Sequence, residues 1–265
     1  MLENVTLKKR LSRQEYKRIL PGLQARLFEL EEACWTNGVP TILVFEGWDA
    51  AGKGSTIAAL TQRLDPRGFR MFPITAPRTY EHQRPWLWRF WLKTPGRGEM
   101  AIFDHSWYRR VLDDRVERAV SKQAVKEALH DIVEFERMLA EDGTLILKFF
   151  LHISKKEQKQ RFAALAADPL EAWRVTAEDW ERHRQYGKYR RAAEEMLEFT
   201  NSGYAPWTIA DATSKWYPRK LVFDTVIAAM EARLGPKAPP KTPAPAADSK
   251  DAELRQAMES MEGGL

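Results

Sequence analysis

The stretch that decides the fold is "TILVFEGWDAAGKGSTIAALTQRL", residues 41–64. An apolar run typical of a buried strand leads into a glycine-rich turn, and a helical pattern of apolar residues follows the turn. Gly47, Gly52 and Lys53 occupy the positions at which a phosphate-binding P-loop has its two glycines and its lysine. The stretch therefore predicts a strand, a phosphate loop and a helix. A glycine-rich turn without a ligand is the less favoured interpretation.

The loop departs from the usual P-loop pattern at the residue after the lysine. That residue is normally a Ser or Thr whose hydroxyl binds magnesium, but here it is Gly54. Asp49 places a carboxylate inside the loop, where bound phosphate would repel it unless a cation lay between them. We therefore expect Asp49 to take part in binding Mg²⁺, with Ser55 or Thr56 as less favoured ligands.

The rest of the loop is expected to bind phosphate mainly through its backbone. N–H groups at the start of the helix converge on phosphate oxygens, and the helix N-terminus adds a positive dipole. Two arginines further along the chain would follow a phosphate polymer that leaves the loop. The predicted phosphate-binding residues are Gly47, Ala50, Ala51, Gly52, Gly54, Ser55, Thr56, Arg63 and Arg67.

Four more apolar runs follow, separated by stretches long enough for crossover helices. They are residues 69–75, 100–104, 144–153 and 206–211. This alternation predicts a parallel sheet of five strands that is covered by helices on both faces. The run at 100–104, "MAIFD", ends in Asp104 as a Walker B strand does, so that Asp104 emerges beside the loop. Asp49 and Asp104 together are the predicted metal ligands for Mg²⁺.

Composition narrows the class of protein. The chain has 265 residues, 44% of them hydrophobic, which is ample for one large α/β domain or two small ones. Its 42 basic and 37 acidic residues describe a mixed surface, and no nucleic-acid recognition motif is present, so we expect no nucleic-acid partner. No signal peptide and no apolar run of about 18 residues is found. We therefore expect a cytoplasmic protein without a membrane segment.

The chain divides into three parts. Residues 1–38 are predicted to be an N-terminal helical segment that is interrupted at Pro21-Gly22. Residues 39–234 are the predicted P-loop domain, in which Ser154 with Glu157 and Thr176 with Asp179 form capping boxes that mark helix starts. Residues 235–265 are rich in Pro, Ala and Lys and are predicted to be a disordered tail with a short helix at its end.

Several motifs, in this order and spacing, resemble those of the polyphosphate kinase 2 family. They are "GWDAAGKGSTI", "LDPRGF", "AP" followed by Glu81, "WLWRFW", "IFDHSWY", "LHISKKEQKQRF", "WRVTAEDW" and "APWTIADA". The "LWRFW" and "APW" segments are most similar to the branch described as polyphosphate:AMP phosphotransferases. The resemblance implies a P-loop kinase fold like that of thymidylate kinase, with a helical lid at about residues 154–195.

The resemblance also implies an activity, which is reversible, Mg²⁺-dependent phosphoryl transfer between inorganic polyphosphate and a nucleoside mono- or diphosphate, with AMP or ADP as acceptor. A homodimer or homotetramer is expected. The lid arginines Arg161 and Arg174 would clamp the transferring group, because a guanidinium fork binds two phosphate oxygens at once. The predicted catalytic residues are Asp49, Lys53, Asp104, Arg110, Arg161 and Arg174.

The stretch "PRTYEHQRPWLWRFW", residues 77–91, is the predicted acceptor region. Its aromatic residues Trp88, Phe90 and Trp91 have helical spacing and are predicted to belong to the core rather than to a ligand platform. The predicted acceptor-binding residues are Arg78, Glu81, Arg89 and His105.

Two of these residues depart from the family pattern. The family usually has Arg at the position of His105 and a small hydroxyl residue at that of Arg78. An imidazole that is mostly neutral at pH 7 replaces a permanent charge, which predicts lower or pH-dependent activity, although Arg110 matches the family and offsets part of the loss.

Two alternative functions stay open, an ATP-dependent nucleoside-monophosphate kinase and a weakly active module that binds polyphosphate or nucleotide.

Overall fold

The computed structural model describes residues 1–235 and contains one parallel sheet of five strands. The strands are β1 (Thr41–Gly47), β2 (Phe69–Pro73), β3 (Met100–Asp104), β4 (Leu145–His152) and β5 (Trp207–Asp211). Their order in the sheet is β2-β3-β1-β4-β5, and every neighbouring pair is parallel. The predicted five-stranded parallel α/β fold is confirmed. Beyond Gly235 the predicted tail lies outside the described residues.

Helices connect the strands. They are α1 (Arg13–Thr36), α2 (Lys53–Thr61), α3 (Trp88–Trp91), α4 (Asp113–Val116), α5 (Lys122–Glu141), α6 (Lys155–Ala167), α7 (Ala177–Arg184), α8 (Tyr186–Phe199) and α9 (Tyr217–Leu234). Short 3₁₀ helices cover Leu2–Asn4, Trp107–Arg110 and Ala172–Arg174. Within residues 1–235 no helix has both the length and the apolar character that crossing a membrane requires.

The core lies on both faces of the central strands. Residues Ile42 to Phe45 of β1 are fully buried, and β4 is buried along nearly its whole length. Such continuous apolar runs are typical of parallel strands covered on both faces, whereas the edge strand β2 is largely exposed. The carboxyl ends of β1 and β3 are hydrogen-bonded neighbours, so the loops that follow them open at the same edge of the sheet.

The N-terminal helix differs from its prediction, because α1 runs without interruption through Pro21. Proline in a helix interior costs about 3 kcal/mol or more, since it removes a hydrogen bond. Contacts with Trp216 and with α9 hold α1 on both sides of the proline. Tyr16 stacks on Trp216 at 5.1 Å between ring centroids, and Arg26 Nε donates to Glu231 at 2.8 Å.

The two predicted capping boxes differ in outcome. The box of Thr176 and Asp179 is complete at the start of α7. At the start of α6, Ser154 accepts a hydrogen bond from the Glu157 N–H at 3.1 Å. The Glu157 carboxylate instead accepts from Arg161 Nε at 2.8 Å, so that only half of this box forms.

Glu31 ties α1 to the loop before β2. Its Oε2 accepts from the Asp65 N–H at 2.8 Å. A Cβ on Gly68 would lie 2.7 Å from Glu31 Oε1, so glycine permits the close approach. Glu31 is only 4% exposed and Oε1 has no hydrogen-bond partner within the described residues. Burial raises the pKa of this carboxyl to about 6, because the charged form loses its hydration.

Candidate active site

The phosphate loop leaves β1 and turns into α2 on residues that tolerate unusual backbone angles. Gly47 has φ of 125°, and a Cβ there would lie 2.3 Å from the Leu151 carbonyl oxygen on β4. Gly52, with φ of 98°, caps α2. Ala50 has φ of 59°, a left-handed conformation that non-glycine residues adopt only at some cost. The glycines of the motif are therefore required by geometry.

Lys53 and Gly54, at the start of α2, define the space beside the loop. Lys53 Nζ donates to the carbonyl oxygens of Gly47 at 2.9 Å and Trp48 at 3.3 Å, so the ammonium group lies over the loop. A Cβ on Gly54 would lie 3.9 Å from Asp104 Oδ2. The hydroxyl that other P-loops carry at this position would therefore face the same carboxylate, and Gly54 leaves that space open.

Asp104 fits the role of a cation ligand. Its Oδ1 is buried and has no hydrogen-bond partner among the described residues, which is costly unless a ligand or ion satisfies it. Asp49 lines the same cleft, but its Oδ2 accepts from Arg182 Nε at 2.9 Å. Within residues 1–235 no three His, Cys, Asp or Glu side chains are grouped to hold a metal. If a Mg²⁺ ion were bound here, water and phosphate oxygens would supply its remaining ligands, as they commonly do for Mg²⁺.

Neighbouring cations stabilise the charged form of the Asp49 carboxyl group. Burial by itself raises the pKa of this carboxyl, but the positive charges of Lys53 and Arg182 outweigh burial and lower the pKa below its usual 3.8. Asp49 is therefore a carboxylate at neutral pH. Arg182 follows the predicted lid clamps in the sequence but was not among the predicted site residues, because nothing in the local pattern shows which face of α7 meets the loop.

Side chains of α6 and α7 form hydrogen bonds with the phosphate loop. Gln158 Nε2 donates to the Asp49 carbonyl oxygen at 3.2 Å, and Gln158 Oε1 lies 2.8 Å from Nδ1 of His183. An amide oxygen only accepts, so Nδ1 of His183 is the donor in this contact. Burial lowers the pKa of His183, because the charged ring loses its hydration. Arg161 Nη1 donates to the Ala50 carbonyl oxygen at 3.0 Å. Gln158 and His183 are site residues that the sequence patterns did not reveal.

The two predicted lid clamps differ in their contacts. Besides Ala50, Arg161 donates through Nη2 to the carbonyl oxygens of Ala212 at 2.6 Å and Thr213 at 3.1 Å. Arg161 thus connects the phosphate loop to the residues that follow β5. Arg174 forms its ion pair with Glu171, its side chain is 48% exposed, and it lines the cleft. Arg174 is therefore freer to move onto a ligand.

Most predicted residues meet in one cleft of about 680 Å³ above the loop. Arg63 and Arg67 lie outside its lining. Arg63 is exposed, and Arg67, whose side chain is 88% exposed, folds back on Asp65 with an N–O distance of 2.7 Å. Their role along a phosphate polymer stays a prediction. The predicted residues that line the cleft are Asp49, Ala50, Ala51, Gly52, Lys53, Gly54, Ser55, Thr56, Asp104, His105, Arg161 and Arg174.

A second cavity of about 530 Å³ lies beside the predicted acceptor region. Glu81 and Arg89 line it and form an ion pair at 3.3 Å, with both side chains 8% exposed. Arg110 also lines this cavity, and its guanidinium lies 5.9 Å from the centre of the Trp86 ring. The arginines that face the cavity are Arg84, Arg89, Arg109 and Arg110, of which Arg84 and Arg109 were not predicted.

Other residues of the acceptor prediction lie elsewhere. The Arg78 side chain is exposed, and its backbone N–H donates to Glu81 Oε2 at 2.7 Å. His105 lines the cleft above the loop instead of the second cavity.

The three aromatic residues predicted to belong to the core differ in burial. Phe90 is buried as predicted, but Trp88 is only half-buried and Trp91 is 41% exposed. The core prediction is wrong for Trp91, although its ring packs edge-to-face against Phe135 of α5 at 4.8 Å between centroids.

His105 lies at the turn between the two cavities. It has a left-handed φ of 59°, and its Nδ1 lies 3.3 Å from Oε2 of Glu46, which is 1% exposed. Ser106 Oγ donates to the other oxygen of Glu46 at 2.8 Å. The buried carboxylate on β1 therefore orients both residues that follow Asp104.

A buried network positions the arginines after this turn. Glu136 Oε1 accepts from Trp107 Nε1 at 3.0 Å and from the Tyr108 hydroxyl at 2.7 Å. Its Oε2 pairs with Lys148 Nζ at 2.7 Å, and Lys148 also donates to the Thr200 carbonyl oxygen. The 3₁₀ helix Trp107–Arg110, which carries Arg109 and Arg110, is thereby fastened to α5 and β4. Sequence reasoning missed this network, because its members are far apart along the chain.

Residues 10–237 match the family described as polyphosphate kinase 2. The chain is 38% identical over 231 residues to a polyphosphate:AMP phosphotransferase of Pseudomonas syringae, covering 87% of this chain and 46% of that protein. It is 38% identical over 213 residues to an AMP/ADP-polyphosphate phosphotransferase of Meiothermus ruber, covering 80% of each. The chain thus spans about half the length of the first relative.

A solved structure is similar over nearly the whole chain. Polyphosphate kinase 2 from Arthrobacter aurescens superposes with a TM-score of 0.87 at 29% sequence identity, covering 98% of this chain and 93% of that one. The predicted resemblance is confirmed by both sequence and structure. On these matches the chain belongs to the polyphosphate kinase 2 family.

Proposed function

We propose that the chain transfers a phosphoryl group, reversibly and with Mg²⁺, between inorganic polyphosphate and AMP or ADP. The observation that carries the proposal is the segment from Asp104 to Arg110. Asp104 and His105 line the cleft above the phosphate loop, and Arg109 and Arg110 line the second cavity. One short segment therefore joins a phosphate-binding cleft to an arginine-lined cavity, as transfer between two phosphate compounds requires.

On the donor side, the loop N–H groups and Lys53 would hold the phosphate that is transferred. Phosphoryl transfer needs alignment and charge neutralisation rather than covalent help from the protein. Lys53 is positioned over the loop by its contacts with two carbonyl oxygens. Arg174, which is half exposed at the cleft, would add its guanidinium when a ligand is bound.

Asp49 and Asp104 would hold Mg²⁺, which supplies neutralisation of phosphate charge when bound. Asp104 Oδ1 supports this assignment, because it is buried and has no hydrogen-bond partner in the part of the chain that the structure describes. Asp49 is already paired with Arg182, so a cation would share this carboxylate with Arg182 or displace it.

On the acceptor side, Arg89, Arg109 and Arg110 would bind the phosphate of the nucleotide. Glu81 and the Thr75 carbonyl oxygen, which accepts from Arg89 Nη2 at 2.9 Å, hold the Arg89 guanidinium in place. Relatives named for AMP and for ADP are 38% and 36% identical to this chain, so both acceptors are included in the proposal.

A coupled assay tests the proposal. AMP or ADP is mixed with Mg²⁺ and either long-chain polyphosphate or ATP, and the phosphorylated product is measured. We expect product from polyphosphate. We expect Lys53→Ala to lower the rate on the order of 10³-fold, since it removes a charge at the transferring group. Lys17→Ala, an exposed lysine on α1, is the matched control and should leave the rate unchanged.

Two results would contradict the proposal. ADP formed from AMP with ATP but never with polyphosphate would identify an ATP-dependent monophosphate kinase. Tight polyphosphate binding without product from either donor would identify a binding module.

A further inference from the structure

A third basic cavity lies outside both cavities described above. It has a volume of about 210 Å³ and lies between α4 and α8. Four of its six lining residues are cationic and none is acidic. The lining residues are Arg115, Val116, Arg118, Lys188, Arg191 and Ala192.

The cations of this cavity are only partly neutralised. Arg115 pairs with Glu195 at 2.6 Å, and Lys188 donates to the neutral side chain of Gln185 at 3.0 Å. Within residues 1–235, Arg118 and Arg191 form no ion pair, as judged by N–O distances up to 4.0 Å. At least two positive charges in one concavity are therefore free to bind an anion.

One donor of the cavity is also unsatisfied. Arg115 Nη1 is buried and has no hydrogen-bond partner within the described residues. Leaving a buried donor without an acceptor is unfavourable, because the donor has lost its hydrogen bonds to water. Arg115 itself lines the cavity, so a guanidinium with one unsatisfied donor belongs to this cation-rich lining.

The walls indicate what kind of anion fits. The apolar lining consists of Val116 and Ala192, with no aromatic ring on which a nucleobase could stack. Guanidinium and ammonium groups without a stacking surface suit phosphate oxygens. The ligand class is therefore an inorganic phosphate compound rather than a nucleotide.

The position of the cavity relates it to the phosphate loop. A small cavity beside the loop is lined by Asp49 and Arg182 and also by Leu112 and Asp113 at the start of α4 and Tyr189 of α8. The same two elements, α4 and α8, form the third cavity on residues only a few positions further along. Residues of α4 and α8 therefore line both the small cavity beside the loop and the third cavity.

We propose that this cavity binds inorganic polyphosphate units remote from the reacting end of the polymer. Because polyphosphate is taken as the substrate, the inference rests on the proposed function. A polymer long enough to reach both the cleft and the third cavity would bind more tightly than a short chain, because binding at one site raises the effective concentration at the other. A short phosphate chain held by the cleft alone would not use the third cavity.

Binding measurements on a double variant test this assignment. Arg118→Gly is chosen because Arg118 has a left-handed φ of 59°, which glycine adopts without strain. It is combined with Arg191→Ala. The matched control is Arg13→Ala with Arg18→Ala, two exposed arginines of α1 whose removal changes the net charge equally. Binding of long-chain polyphosphate, tripolyphosphate and orthophosphate is measured by calorimetry over a range of salt concentrations.

We expect the double variant to bind long-chain polyphosphate about tenfold more weakly than the control. The slope of log Kd against log salt should fall by about 0.7 for each phosphate that the cavity no longer neutralises. Tripolyphosphate binding should not change. The assignment is overturned if the double variant matches the control. It is also overturned if orthophosphate binding is abolished while long-chain binding is kept, because the cavity would then be a site for a small anion.

The outcome separates this inference from the proposed function. If the unaltered protein transfers phosphate from polyphosphate but the double variant matches the control, only the third cavity is wrongly assigned. If the unaltered protein neither binds polyphosphate nor forms product from it, the proposed function fails.

Discussion

Two ion pairs of nearly equal length have different surroundings. Lys148 and Glu136 lie 2.7 Å apart with side chains 0% and 1% exposed. Arg182 and Asp49 lie 2.9 Å apart with side chains 27% and 25% exposed, at the cleft above the phosphate loop. The buried pair has fixed partners on every side, whereas the cleft pair can exchange one partner for a ligand. Burial therefore makes the first pair structural and leaves the second free to respond to ligands.

Breaking the buried pair should have the largest effect. Lys148→Met leaves the Glu136 charge buried without a cation, so we expect the free energy of unfolding to fall by about 3–5 kcal/mol. Urea denaturation at pH 7 measures this change. The neutral double variant Lys148→Met/Glu136→Gln keeps an acceptor for Trp107 and Tyr108 and should recover part of the loss. A loss below about 1 kcal/mol in the single variant would show that the pair is not structural.

Glu31 extends the comparison to a buried carboxyl that has no ion pair within the described residues. Its pKa is about 6 in the folded protein against a usual value of 4.5. The folded state therefore binds the proton more tightly, and the free energy of unfolding falls as pH rises from about 4.5 through about 6. Over that window we expect a loss of roughly 2 kcal/mol, at about 1.4 kcal/mol for each pKa unit.

Glu31→Gln isolates this contribution, because the amide oxygen can still accept from the Asp65 N–H. Urea denaturation of both proteins at pH 4 and pH 7 should show that the variant gains stability relative to the parent as pH rises. Parallel pH profiles would contradict the raised pKa.

Removing the cation of the cleft pair should have the smallest effect on stability. For Arg182→Ala we expect a change of about 1 kcal/mol or less, since the pair is partly exposed. The pKa of Asp49, which Lys53 and Arg182 lower below 3.8, should rise. A lowered pKa stabilises the fold above the unfolded value, and this contribution disappears as pH falls, so parent and variant should converge in acid.

An NMR titration of the Asp49 carboxyl, with unfolding measured at pH 3 and pH 7, checks this expectation. The matched control is Arg184→Ala on the same helix, which pairs with the exposed Glu181 and should leave the pKa of Asp49 unchanged. If Arg182→Ala destabilises the protein as much as Lys148→Met does, the distinction between the two pairs is wrong.

Local sequence patterns predicted the strands and part of the candidate active site. The apolar runs located all five strands. For β1, β3 and β4 the reason is that a parallel strand covered on both faces must be apolar along its length, whereas the edge strand β2 is largely exposed. Asp104 was found because it follows such a run. The helix break at Pro21 was wrong, because contacts of α1 with α9 outweigh a local breaker. Trp91 was wrongly placed in the core, because a spacing pattern does not show how much of a four-residue helix is covered.

The amino-acid sequence by itself determined the parallel α/β fold, the phosphate loop and the carboxylate at the end of β3, because each depends on residues that are contiguous in the chain. Only the tertiary structure decided that Gln158 and Arg182 reach the loop and that Glu136 pairs with Lys148. It alone brought Arg84 and Arg109 to the cavity of Arg89 and Arg110. These contacts join separate elements, and which faces of those elements meet is set by the packing of the whole core.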